Sequence, residues 1–409
     1  MTKEFSSPLP GHQERSQSPA ASIPAQAQLM LQLLRKIKHG TLRLECPDHK
    51  VLHFGDGSEP VTLTLKNWEP CIAAVKSGDI GFAESYINGD WHTDKLSRLL
   101  ELFIHNREAV ETAIYGTWWG SLAYRLKHLF NRNSRAGSKR NIHAHYDIGN
   151  NFYQLWLDPS MTYSSALFSN QQATLQQAQE AKYLRILDQL NTRTGSKILE
   201  IGCGWGGFAE LAAQRGSHIT GLTLSTEQRD FALQRLQAAG LSKQVDLRLQ
   251  DYRDTDGKFD AIASIEMFEA VGEAYWDSYF SCVAKLLKSG GRACIQTITI
   301  ADELFARYRK GTDFIQQYIF PGGMLPSPSV FRSHAEKHGL KIVDEFAFGL
   351  DYASTLSIWQ HTYHARQQEL IALGFDERFN RTWEFYLSYC EAGFRAKSLD
   401  LFQFTLQKS

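Results

Sequence analysis

Ten residues, Ile198-Leu-Glu-Ile-Gly-Cys-Gly-Trp-Gly-Gly207, constrain this chain more than any others. Ile198, Leu199 and Ile201 read as an apolar strand of a covered parallel sheet, and Gly202, Gly204 and Gly206 follow where that strand ends. Without side chains in the way, the backbone can turn sharply into a helix and approach a ligand closely. Dinucleotide enzymes use a similar turn, but favour Gly-x-Gly-x-x-Gly with an acid about 20 positions further on. Here that place holds Thr223-Leu-Ser-Thr-Glu-Gln228, and the acid lies inside the motif as Glu200. An acid there suits a cationic ligand. The run therefore fits S-adenosylmethionine better than a nicotinamide dinucleotide, with Glu200 near the sulfonium or ammonium charge. A tight strand-to-helix turn without a ligand is the plainer alternative.

The surroundings support a ligand site. From about residue 180, strands alternate with helical stretches, as in a doubly wound, Rossmann-like α/β domain. Strands are expected at Lys197–Ile201, His218–Leu222, Val245–Leu249, Phe259–Ser264 and Gly291–Thr297. Ligands of such sheets sit at the carboxyl ends of the strands, where Gly202 to Gly207, Thr223 to Gln228, Asp251 to Asp254, Glu266 to Glu269 and Gln296 to Ile298 fall.

The chain has 409 residues, more than one core usually serves. Residues 1–24, rich in Ser, Pro, Ala and Gln, read as a disordered tail. A small α+β unit is expected over residues 25–112, with a helix at Leu29–Ile37, strands at Thr41–Glu45 and Val61–Leu65, and helices at Trp68–Lys76 and Phe82–Asn88. Residues 113–142 set Trp118, Trp119, Leu122 and Leu126 beside Arg125, Lys127, Arg132 and Lys139. That combination suits an anionic membrane surface, or else a packed helix followed by a solvated basic linker. Residues 143–409 form the expected catalytic domain.

Charge and cysteine usage narrow the partners. Lys and Arg number 44, as do Asp and Glu, so bulk attraction to nucleic acid is not expected. The six cysteines show no Cys-x-x-Cys spacing, which argues against zinc, iron–sulfur and disulfide-scaffold readings. His143 and His145 lack a third metal ligand at suitable spacing. No transmembrane segment is expected, since no apolar run approaches about 18 residues. A cytoplasmic chain, at most peripheral to a membrane, is the expectation.

Three further stretches carry a resemblance: His143 to Ser165, Ser264-Ile-Glu-Met-Phe-Glu-Ala-Val-Gly272, and Tyr318-Ile-Phe-Pro-Gly-Gly-Met-Leu-Pro-Ser327. With the glycine turn and Gly221-Leu-Thr-Leu-Ser225, they closely resemble the cyclopropane fatty acid synthase family over roughly residues 140 to 407. The unit before them is similar to the N-terminal domain of the longer bacterial members. The resemblance implies a class I S-adenosylmethionine methyltransferase domain and methyl transfer to the cis double bond of an acyl chain in a membrane phospholipid. It also implies work at the inner face of the membrane, and a homodimer is common among relatives of this length. An alkene is a poor nucleophile, so such an enzyme must hold it in line with the donor and shield the resulting carbocation from water until a base removes a proton.

In that family the base is thought to be a bound bicarbonate. By motif its cradle comprises Glu269, the Ile298 backbone and Tyr352, but two positions depart: Ser165 stands where a Cys is common, and Gln296 where a His is. The Ser165 amide can still donate to an anion, and Gln296 carries both donors and an acceptor. Losing an imidazole removes a group that titrates near neutral pH, which leaves a cyclopropane ring and a methylene or methyl-branched chain both open as products. The expected cofactor contacts are Tyr163, Ser164, Glu200, Gly202, Cys203, Gly204, Trp205, Gly206, Thr223, Leu224, Ser225, Gln228, Tyr252 and Arg253. Among them, Gln228 suits ribose hydroxyls, Tyr252 suits the adenine face, and Arg253 has a solvated reading. Cys390 matches a cysteine of the family's active site, but alkene methylation needs no thiol nucleophile, so core or pocket lining is the first reading. Phe379, Trp383, Phe385, Tyr386, Tyr389, Phe394, Phe402 and Phe404 read mostly as the core face of amphipathic helices. Methylation of a small amine, and a silent lipid-binding protein that keeps the fold, are the competing readings.

Overall fold

Alternation of buried leucines builds the first sheet. In the computed structural model, strands β1 (Thr41–Glu45), β2 (Val51–Gly55), β3 (Pro60–Leu65) and β4 (Trp91–His92) pair in the order β2-β1-β3-β4. β1 runs antiparallel to β2 and parallel to β3, so Leu42 and Leu44 stand level with Val61 and Leu63. Leu42, Leu44, Leu63 and Leu65 are all buried, which puts them on one face. The two helices expected at Trp68–Lys76 and Phe82–Asn88 form one broken element, Glu69–Ile87. Its break is at Gly78, whose φ of 64° and ψ of −140° only glycine tolerates readily. The structure describes residues 23–57, 59–108, 148–170 and 172–409; most of the expected tail, the basic segment 113–142, and His143 and His145 lie outside them.

The second sheet comprises β5 (Lys197–Ile201), β6 (His218–Thr223), β7 (Val245–Leu249), β8 (Phe259–Ile265), β9 (Leu287–Ile300), β10 (Leu340–Ala347) and β11 (Leu399–Lys408). Their order is β10-β11-β9-β8-β5-β6-β7. The β6–β7, β5–β6, β5–β8 and β8–β9 pairs are parallel, whereas β11 is antiparallel to both β9 and β10. Strand order reverses at β5, and such a switch point opens a crevice at the carboxyl ends of the strands.

Strands β10 and β11 were not expected. Phe402 and Phe404, read as helical core, lie in β11, where Phe404 is fully buried and stacks on Phe331 at 4.1 Å. Phe379, Trp383, Phe385 and Tyr386 do lie on a helix, Glu377–Arg395, as expected.

That helix ties the two sheets together. It packs on the helices Gly349–Ala365, Leu96–His105 and Glu69–Ile87. One apolar cluster runs from Leu42 and Leu63 through Trp91 and Trp383 to Leu401. Trp91 is 0% exposed and stacks on Phe82 at 4.4 Å; truncating a buried ring of this size costs about 3–5 kcal/mol. Polar contacts fix the register: Tyr86 Oη donates to Glu384 at 2.7 Å, Arg381 Nε to the Tyr86 carbonyl at 2.7 Å, and Tyr389 Oη to Asp79 at 2.8 Å. Among the described residues, no helix is long and apolar enough to cross a membrane.

Candidate active site

The glycine turn after β5 adopts left-handed backbone at Gly202, Gly204 and Gly206, with φ of 84°, 50° and 83°. The two later glycines serve different ends. A Cβ at Gly206 would lie 2.9 Å from Ala232 Cβ, so this residue lets two helices approach each other. A Cβ at Gly204 meets nothing within 4 Å and would project into open space.

That space is a cleft of about 170 Å³ at the strand ends. Tyr163, Ser164, Glu200 and the Gly202–Trp205 turn line it on one side, with Thr223, Leu224 and Gln228 above and Tyr252 and Arg253 beyond. Two expected contacts shape the wall without lining it. Gly206 caps the helix Gly207–Gln214, and Ser225 caps the helix Thr226–Ala238 by accepting from the Gln228 amide. Thr223 Oγ1 donates to Gln228 Oε1 at 3.0 Å, and Trp205 Nε1 to Asn150 Oδ1 at 2.7 Å. Arg253 is not solvated: Asp251 holds its guanidinium at 2.6 Å. Glu200 is 2% exposed, its Oε2 has no hydrogen-bond partner, and burial holds its carboxyl well above the usual range. An orphaned carboxylate oxygen inside a cleft is costly unless a cation or donor arrives, so the site fits the cationic donor S-adenosylmethionine.

A second, larger cavity of about 790 Å³ adjoins the cleft. It begins among Leu34 of the helix Ala25–Leu34 and Leu44 and Leu63 of the small sheet, and ends at Tyr352, Cys390 and Phe394. Tyr163, Glu266 and Ala270 line both spaces. Of the expected catalytic set, Glu269, Ile298, Tyr352 and Cys390 line the cavity, whereas Ser165 and Gln296 stand behind its wall, each 0% exposed. The Tyr352 ring stacks on Phe394 at 4.6 Å, and Tyr163 Oη lies 2.7 Å from Tyr386 Oη. Burial raises the Cys390 thiol far above its ordinary value, as for an inert cysteine.

The expected cradle closes on a carboxylate of the chain itself. Ser165 N donates to Glu266 Oε1 at 2.9 Å, Gln296 Nε2 to the same oxygen at 2.7 Å, and Tyr352 Oη to Oε2 at 2.6 Å. The remaining donor, Ile298 N, is taken by Glu269 Oε1. A bound bicarbonate would find these four donors engaged and would stand against two carboxyl groups, so the cradle does not fit that anion. Burial, with Glu266 close by, pushes the Glu269 carboxyl up to about 8, while its Oε2 has no partner. Burial also raises Glu266, but Lys182, Tyr352, Ser165 and Gln296 pull it back.

Sequence reasoning passed over two groups here. Glu266 is the first of the two acids of Ser264–Gly272, three residues before Glu269, and that doubling is its signal in the sequence. Lys182 is fully buried on the helix Leu175–Leu190, donating to Ser164 Oγ at 2.5 Å and Gln179 Oε1 at 2.7 Å; burial brings it down to about 7. Its signal was a polar pair three residues apart, Gln179 and Lys182, inside an apolar helical stripe.

The chain is similar to known proteins over most of its length. A family model described as mycolic acid cyclopropane synthetase matches residues 133–404. The chain is 37% identical to tuberculostearic acid methyltransferase UfaA1 of Mycobacterium tuberculosis, over 96% of this chain and 98% of that one. It is 35% identical to the cyclopropane-fatty-acyl-phospholipid synthase of Escherichia coli K12, over 85% and 88%. Among solved structures, mycolic acid cyclopropane synthase CmaA1 complexed with SAH and CTAB superposes with a TM-score of 0.62 at 34% identity, covering 66% of this chain and 98% of that one. The cleft, the cavity it opens into and these relatives lead to one conclusion: the chain belongs to the mycolic acid cyclopropane synthetase family of S-adenosylmethionine-dependent methyltransferases.

Proposed function

We propose that this enzyme transfers a methyl(ene) carbon to the cis double bond of an unsaturated acyl chain carried by a membrane phospholipid. The observation that carries the reading is the junction at Tyr163, Glu266 and Ala270, where a cofactor cleft meets a long apolar cavity. When bound, S-adenosylmethionine supplies an electrophilic methyl group. The leucines of β1 and β3 and the rings near Tyr352 hold the acyl chain extended and keep water from the reacting carbons. Tyr163, Tyr352 and Phe394 offer π faces to developing positive charge. Glu200 and the glycine turn orient the donor from the other side.

Ring closure is the leading product. A methylene or methyl-branched chain is the second reading, favoured by Glu266 filling the cradle and by nearly equal identity to a tuberculostearic acid methyltransferase and a cyclopropane synthase. The apolar cavity speaks against a small amine as acceptor. We further propose association with the inner membrane face through the apolar and basic residues of the segment 113–142, which vesicle co-sedimentation with and without that segment tests. Sedimentation equilibrium tests the homodimer expected from relatives of similar length.

The deciding experiment incubates purified protein with methyl-labelled S-adenosylmethionine and vesicles of mono-unsaturated phospholipid, then takes proton NMR spectra of the released fatty acids. Upfield cyclopropane signals are expected. Vinylic methylene or methyl-branch signals establish the second reading instead, and measured cofactor binding without incorporation overturns the acceptor.

A further inference from the structure

We infer that Glu266 is the general base of the reaction, a carboxylate of the chain standing where the family resemblance implies a bound bicarbonate. The inference rests on the acyl-methylation reading above and specifies its proton acceptor.

Three independent features of Glu266 converge. Its position comes first: with Tyr163 and Ala270, it lines both the cleft and the cavity, so its side chain borders the path of the transferred carbon. A base must come within hydrogen-bonding reach of the proton it removes, and no other carboxyl borders both spaces among the described residues. Its bonding comes second. Oε1 accepts from Ser165 N and Gln296 Nε2, while Oε2 takes a single donor, Tyr352 Oη, and keeps lone-pair capacity for a proton. Backbone strain is third. Glu266 sits at φ 49°, a left-handed conformation uncommon for a residue with a Cβ and typical of side chains held for function.

The support behind Glu266 fixes its chemistry. Gln296 presents its amide nitrogen because its own oxygen accepts from Gln403 Nε2 at 3.0 Å. Gln403 is oriented in turn by Arg185 at 2.7 Å, and Arg185 is anchored by Asp344 at 2.6 Å. This relay keeps a donor aimed at Glu266, as a carboxylate requires. Lys182, brought down to about 7 and so partly protonated near neutral pH, favours the charged form of Glu266, and Glu269, pushed up to about 8, adds little negative charge there.

The step balances without another reactant. The alkene π pair forms a bond to the donor methyl carbon, and the carbon–sulfur pair leaves with sulfur. The neighbouring chain carbon becomes cationic, and Glu266 Oε2 takes one proton from the transferred methyl. The freed carbon–hydrogen pair closes the ring onto the cation or, after a hydride shift along the chain, makes a methylene. The proton returns to solvent between turnovers.

Two measurements decide the matter. The first is direct binding of ¹³C-bicarbonate, followed by NMR relaxation, to wild type and to Glu266→Ala. Wild type should bind none, while the variant, with three donors released, should bind bicarbonate or formate; binding to wild type overturns the inference whatever the turnover. The second is turnover in carbonate-free buffer. Wild type should be insensitive to added bicarbonate, and Glu266→Ala should lose about 10²- to 10⁴-fold in kcat with cofactor affinity intact. Added formate should restore part of that loss. Full activity in the variant, or loss of wild-type activity when carbonate is removed, overturns it. Wild type that binds S-adenosylmethionine but methylates no unsaturated phospholipid overturns the acceptor reading alone, and the bicarbonate arm still decides on Glu266.

Discussion

The cofactor cleft and the apolar cavity share three residues yet are built in opposite ways. The cleft draws its walls from one stretch, Met161 to Val271, mostly the ends of neighbouring parallel strands. The cavity reaches from Met30 to Leu399 and needs the small sheet, the end of β9 and two C-terminal helices at once. A site made of local turns is robust and readable; one made of distant walls can be reshaped without disturbing the first. Cofactor binding and acceptor choice should therefore respond to different mutations.

The largest effect expected is on the cleft. Gly204→Val forces a β-branched residue into a left-handed backbone and fills open space, so S-adenosylmethionine affinity should fall about 100-fold or more by calorimetry. Unchanged affinity would place the cofactor elsewhere. Next, Leu63→Trp fills the far end of the cavity and should cut turnover on long acyl chains about tenfold, leaving cofactor affinity within about twofold. Equal turnover on long chains would mean that the acceptor stops short of the small sheet, breaking the contrast drawn above.

A smaller effect concerns stability. Below pH 4.5 Glu269 is protonated in the folded and unfolded chains alike. As pH rises toward about 8, the unfolded form ionises while the folded one resists, so this residue's contribution is progressively lost. Glu269→Gln should thus melt higher than wild type by a margin that grows from pH 5 to 8; a constant margin would remove Glu269 as the source. The smallest effect belongs to Cys390→Ser. A thiol held un-ionised is no nucleophile, and turnover should stay within about twofold. A loss of the size seen in nucleophile knockouts would restore the cysteine to the chemistry.

The same contrast explains what the sequence revealed. β5 and β7 were legible to the residue, and β6 and β8 within one, because each is a short stretch of continuous or alternating apolar residues ended by turn residues. The glycine turn was legible because backbone geometry alone demands it. β11 is not legible because its aromatics alternate with Gln403 and Thr405 in a period-two pattern that directly follows a helical aromatic stripe and reads as its continuation. Most residues that line the cleft followed from motifs, whereas the identity of the cradle's occupant did not. Ser165, Glu266, Gln296 and Tyr352 meet across separations of up to 187 positions, and only the fold shows which of two nearby acids the donors face.

The place of β11 bears on how the molecule is made. It is the strand latest in chain order, yet it lies inside the sheet, between β9 and β10, so β10 has no partner until it arrives. It also carries Gln403, which turns Gln296 toward Glu266. During synthesis, the donor-binding half can therefore assemble on the ribosome well before the acid at the junction is oriented. The walls of the cleft, Met161 to Val271, are thus complete in chain order long before Gln403, the residue that turns Gln296 toward Glu266, is reached.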